Sequence, residues 1–102
     1  MIQKQPAVIT CPDDLEPSKD GLRGGKMVFM EGDGKNGKRV GMVWGRCVVT
    51  GKIVVVVVSK KRVVAYRDGA IAQDAFSNLT PASREFLISG ISPLGWGQIS
   101  HE

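Results

Sequence analysis

The sequence is poor in the residues that carry out chemistry. Its 102 residues include one histidine, His101, and two cysteines, Cys11 and Cys47. His101 lies in the last two residues, where chain ends fray, so no Ser-His-Asp or Cys-His arrangement can be built around it. Asp13 with Asp14, and Glu31 with Asp33, could pair as carboxylates, but solvated surface charge explains them more simply. The expectation is a protein that is not an enzyme, with no cofactor and no metal.

Other absences narrow the class further. Two cysteines without a secretory pattern read as free thiols, not as a disulfide scaffold. Pro6 and Lys4 break any charged-then-apolar leader near the first residue. No apolar run reaches membrane-spanning length, since Ile53–Val58 is a strand's worth. Cytoplasmic residence is the default expectation, with no membrane partner. Aromatic residues make up only 6% and form no ladder of the kind that RNA-binding sheets expose.

What is present is β-branched sequence and positive charge. The composition, 42% apolar and 24% charged, is that of one ordinary globular domain spanning 1–102. Charge is uneven along it. Residues 1–20 sum to −2, residues 21–67 to +9 and residues 68–102 to −3. A basic middle between mildly acidic ends points to an anionic partner or to internal pairing across the fold.

Turn chemistry divides the chain. Gln5–Cys11 could be a short edge strand, and 12–25, with Pro12, Pro17, Gly21, Gly24 and Gly25, is a loop. A β-meander is expected over 26–66: Lys26–Glu31, a long strand Arg39–Val49, then Ile53–Ser59 after a tight Thr50-Gly51 hairpin, then Arg62–Tyr66. Gly41 and Gly45 suggest a bulge that curls the sheet. The valine run would need cover on both faces, which implies a closed small barrel, a helix-covered sheet or a dimer interface. Segment 69–76 is helix or strand. A helical tail over 79–99 opens at Thr80-Pro81, stops at Gly90 and resumes after Pro93. The predicted fold is thus α+β and mainly β: a curled antiparallel four- to five-stranded sheet or small barrel with C-terminal helical turns packed on it. Trp44, Val55, Val57, Phe86, Leu87 and Trp96 are its expected core.

Several motifs need weighing. Gly32-Asp33-Gly34-Lys35-Asn36-Gly37 matches the letter of a dinucleotide fingerprint, and with Lys38-Arg39 nearly that of a P-loop. Both work by opening a helix that holds phosphate; Arg39–Trp44 is a strand pattern, so the segment is a hairpin connection. Gly21-Leu22-Arg23-Gly24 has the GXXG form of a nucleic-acid clamp but does not join two helices. Cys47-Val48-Val49-Thr50-Gly51 and Cys11-Pro12-Asp13-Asp14 each keep the first cysteine of a zinc knuckle and lose the second, and Ser92-Pro93-Leu94-Gly95 repeats the frame without a thiol. The cysteines read as buried or incidental.

The basic residues are the strongest functional hint. Arg39, Lys52, Lys60, Lys61 and Arg62 cluster at turns and could supply phosphate contacts, which position a nucleic acid without reading its sequence. The leading expectation is a small non-enzymatic binding module with a basic face, nucleic acid being the first partner to test. The alternative is a protein-interaction module or homodimer that uses the valine-rich strand or a sheet edge.

The tail Arg84-Glu85-Phe86-Leu87-Ile88-Ser89-Gly90, followed by Pro93 and Trp96, resembles the ends of small uncharacterised phage and plasmid proteins. Some of those tails carry a Cys-Pro-x-Cys knuckle that Ser92 and Gly95 would replace. The resemblance implies a mobile-element accessory protein and supplies no activity.

Overall fold

The computed structural model describes residues 14–33 and 39–100. Three strands, β1 (Val28–Asp33), β2 (Arg39–Arg46) and β3 (Ile53–Val57), form an open antiparallel sheet in the order β1-β2-β3. Four helices follow among the described residues: α1 (Lys60–Arg67), α2 (Ala72–Ala75), α3 (Pro81–Ser89) and α4 (Pro93–Ser100). One 3₁₀ turn, Gly21–Gly24, precedes the sheet. No helix among the described residues is long and apolar enough to cross a membrane.

The sheet is a strict two-residue alternation. Register pairs Val28 with Trp44 and Met30 with Met42 on one side of β2, and Trp44 with Val55 and Met42 with Val57 on the other. Because side chains alternate across a strand, Val43, Cys47, Val56 and Val58 fall on the opposite face. There they join Val63, Tyr66, Ala75, Phe76, Phe86 and Leu87 in the core. Tyr66 and Phe76 meet with ring centroids 5.0 Å apart. The helices therefore cover one face of the sheet.

Gly41 and Gly45 are in register, not in a bulge. Their role is close approach: a Cβ at Gly45 would lie 2.9 Å from Phe86 Cζ, and one at Gly41 would lie 2.8 Å from Phe29 Cζ. Glycine here lets aromatic rings lie against β-backbone.

This architecture corrects the expected four- to five-stranded sheet or barrel. The segment Arg62–Tyr66 is not a strand but the body of α1. Ser59 caps the helix by accepting from Arg62 N, and Lys60, Lys61, Arg62 and Ala65 favour helix. Val63 and Tyr66, three apart, present its buried face. The β-branched pair Val63-Val64 gave a strand signal that capping and burial overrode. The edge strand expected at Gln5–Cys11 lies outside the described residues, as does the loop 34–38. The strands flanking that loop are paired, Asp33 with Arg39, so it joins two strands and opens no helix. Among the described residues helices occupy more than strands, so "mainly β" is also corrected. The long strand expected to Val49 ends at Arg46, and the tight hairpin is instead the six-residue turn Cys47–Lys52.

The helical tail forms as the sequence predicts. Thr80 Oγ1 accepts from Ser83 N, Pro81 takes the first helical position, and Gly90 ends α3 with φ of 78°. The undecided 69–76 contains the single turn of α2.

Residues 14–25 are a loop, as expected, but a tightly bound one. Ser18 is fully buried; its N–H donates to Arg46 O (2.8 Å), and its hydroxyl accepts from Arg46 N (2.9 Å). The GXXG residues form the 3₁₀ turn, which buries Leu22 and aims Arg23 at α1. The Arg23 guanidinium donates to Tyr66 O (2.8 Å) and Ala70 O (3.0 Å) and lies 4.0 Å over the Tyr66 ring. A cation satisfies the helix C-terminal carbonyls here, with the sign the helix dipole favours.

Candidate functional site

The sheet face turned away from the helices carries Val28 and Met30 from β1, Val40, Met42, Trp44 and Arg46 from β2, and Ile53, Val55 and Val57 from β3. Eight of these nine are apolar. Val28 is 38%, Val55 39% and Val57 58% exposed, and Trp44 is half-buried. The one charge, Arg46, is engaged: its Nε donates to Leu15 O at 2.8 Å and its NH1 to Gly51 O at 2.5 Å. The Trp44 indole Nε1 is buried without an acceptor among the described residues. Contiguous apolar surface is more common at interaction sites than on the rest of a soluble protein's surface.

Two expected core residues, Val55 and Val57, therefore belong to this outer face, and Trp44 also points outward. Trp96 is 40% exposed on α4, while Phe86 and Leu87 are fully buried as expected. Six consecutive apolar residues hide the parity of a strand, because either phase looks equally hydrophobic. Only the hydrogen-bonded register with β2 decides it.

The five candidate phosphate contacts do not form one surface. Register continues from Gly41, whose carbonyl accepts from Val58 N, so Arg39 shares one end of the sheet with Lys60, Lys61 and Arg62. Lys52 is at the other end of β3, roughly 20 Å away at a strand's rise per residue. Arg62 is committed to the fold: its NH1 donates to Ala75 O at 3.0 Å and tethers α2 to α1. Arg39, Lys60 and Lys61 remain as an exposed cluster.

A shallow groove of about 440 Å³ lies between α1 and α2, lined by Ser59, Lys61, Arg62, Ala65, Asp74 and Ala75. Among the described residues no three of the His, Cys, Asp and Glu side chains gather where they could hold a metal. His101 and Cys11 lie outside the described residues.

The turn Cys47–Lys52 holds the most perturbed titratable group. Cys47 is fully buried, and its sulfur receives Ser92 N (3.3 Å), Ser92 Oγ (3.3 Å) and Thr50 N (3.4 Å). Burial pushes the thiol up, but the donors from Ser92 and Thr50 outweigh it and bring it down from 9.0 to about 6. The native state thus binds fewer protons than the unfolded chain between those values. Stability should rise with pH across about 6–9, by up to about 1.4 kcal/mol per unit, and fall away as pH drops through 6. Denaturant melts at pH 5.5, 7 and 8.5 check this, and Cys47→Ser should flatten the slope. A slope unchanged by that substitution would assign it elsewhere.

Compared with known proteins, the chain matches no family model, no curated protein and no solved structure.

Proposed function

We propose that the protein is a non-enzymatic interaction module, and that the partner of its open sheet face is a second copy of the same chain. The observation that carries this is the outer face itself: eight apolar side chains from three strands with one engaged arginine. Of the three ways to cover a valine strand on both sides, the described residues form an open sheet with helices on one face, which favours an interface on the other. The chain carries a net +4, so two copies repel through most of their surface. Contact is favoured where that charge is absent. Two such faces can stack as a sandwich, sheets about 10 Å apart, with side chains interdigitating.

Light scattering after size exclusion, across a wide concentration range, tests this. A dimer is expected, and Val55→Asp with Val57→Asp should shift it to a monomer that keeps the folded circular dichroism spectrum, with a melting temperature that no longer rises with protein concentration. A monomer at every concentration, or a dimer indifferent to the two aspartates, would overturn the reading.

The exposed cluster of Arg39, Lys60 and Lys61 favours a second reading, nucleic-acid binding at that end of the sheet. Fluorescence anisotropy with labelled single- and double-stranded DNA and RNA should then show a steep salt dependence. Charge reversal at Lys60 and Lys61 should flatten it, whereas reversal at Lys52 should leave it nearly unchanged. No binding at low salt removes this reading. The tail's likeness to phage and plasmid proteins suits either role for a mobile-element accessory protein.

A further inference from the structure

We infer that positions 47, 50, 92 and 95 make up the frame of a tetrahedral metal knuckle pair, closed in this chain by hydrogen bonds to one sulfur instead of by a metal. Two turns build it. In the first, Cys47-Val48-Val49-Thr50, the N–H of the fourth residue points at the side-chain sulfur of the first, 3.4 Å away. In the second, Ser92-Pro93-Leu94-Gly95, the N–H of the fourth residue points at the side-chain oxygen of the first, 3.2 Å away. The two turns thus share a spacing and a hydrogen bond, and their leading atoms, Cys47 Sγ and Ser92 Oγ, are 3.3 Å apart.

The fourth position completes the convergence. A Cβ built on Gly95 would lie 2.9 Å from both Cys47 Sγ and Ile91 Cγ2 and 3.1 Å from Val49 Cβ. The side-chain direction at 95 therefore aims at the sulfur of the other turn, and a side chain there requires the two turns to move slightly apart. Zinc knuckles hold two ligands two residues apart in each of two such turns, with Zn–S bonds of about 2.3 Å that set sulfurs roughly 3.8 Å from one another. The present frame is drawn tighter than that, as a hydrogen-bonded cluster must be. With serine, threonine and glycine at three corners it offers one thiol, too few for a soft divalent cation. What a metal would do elsewhere, fastening a turn of the sheet to the segment after α3, is done here by the two bonds from Ser92 to the Cys47 sulfur, while Thr50 N–H closes the turn itself.

Restoring the missing corners tests the inference. In a Cys11→Ser background, the triple variant Thr50→Cys, Ser92→Cys, Gly95→Cys is titrated with Co(II) and followed in the visible region. One equivalent is expected to bind with the absorption of tetrahedral thiolate coordination, to be displaced by Zn(II), and to weaken at least about tenfold when Cys47→Ser is added. The Cys11→Ser parent should bind no stoichiometric cobalt. A triple variant that folds only when Zn(II) is supplied also supports the frame. If it folds under neither condition, Thr50→Cys with Ser92→Cys, which keeps Gly95, decides with three thiolates. Absence of stoichiometric cobalt in a folded variant, or binding indifferent to Cys47, overturns the inference.

Discussion

Replacing Phe86 with alanine is expected to cost about 3–5 kcal/mol, enough to leave much of the population unfolded in a domain of ordinary stability. Phe86 is fully buried in the middle of α3, and its ring tip reaches the space above Gly45. Gly45 below the ring has no side chain to lean in, and of the neighbours at that point, Ser18 Oγ and Met27, only the flexible methionine can relax toward the gap. Part of the cavity therefore stays open, which places the cost within the usual range for aromatic truncation. Urea denaturation followed by tryptophan fluorescence measures it. A loss below about 1 kcal/mol would mean that α3 is not seated on β2 through this ring. Gly45→Ala in the same assay should also destabilise, from the opposite direction, by forcing a methyl into contact with the ring.

The second large effect is expected at Gly90. Its φ of 78° is left-handed, and its N–H donates to Phe86 O at 2.8 Å to close α3. The position where a Cβ would stand is occupied by the Ser18 carbonyl. Ser18 cannot retreat, since it is held to Arg46 by two hydrogen bonds and through its own carbonyl to Gly21 N. Alanine at 90 therefore adds the strain of a left-handed conformation to a clash with fixed backbone, about 2–4 kcal/mol together. The Gly90 carbonyl also accepts from Val48 N at 3.1 Å, so the same substitution should loosen the turn at Cys47. Hydrogen exchange at Val48 and Thr50 would rise if so. Thermal melts of Gly90→Ala equal to the parent would show that the loop and α3 are not in contact there.

How far the sequence foretold this fold varied by element, and for physical reasons. The start and stop of α3 were legible because Thr80, Pro81 and Gly90 act locally, within one turn of the residues they constrain. Helix α1 was not, because its valines mimic a strand and its cap, Ser59, follows a valine run without a break. The strand phase of β3 was hidden for a related reason: identical side chains leave nothing to distinguish in from out. Among the candidate site residues, Lys60 and Lys61 were expected in a turn between two strands and instead open α1. Arg62 and Lys52 were not separable from them by sequence, since only tertiary placement ties one guanidinium to Ala75 and sends Lys52 to the far end of the strand. The knuckle spacing at 47–50 and 92–95 was visible from the start; that the two turns would meet, 45 residues apart, was not. No local rule brings them together.

The bonds made by Arg23 bear on how the chain folds as it is synthesised. Its acceptors lie 43 and 47 residues downstream, and the helix that faces Ser18 ends still later, at Ser89. The sheet, built from neighbouring strands, can pair as soon as residue 57 or so is free of the ribosome. The loop at 14–25 cannot, because apart from Arg46 and the ion pair of Glu16 with Lys26 its partners emerge afterwards. At usual elongation rates of about 5–20 residues per second, that loop and its apolar residues Leu15 and Leu22 wait for a second or more without their partners. Slowing translation between codons 60 and 90 should therefore lengthen the interval in which the nascent chain is open to proteolysis, while leaving the finished protein unchanged.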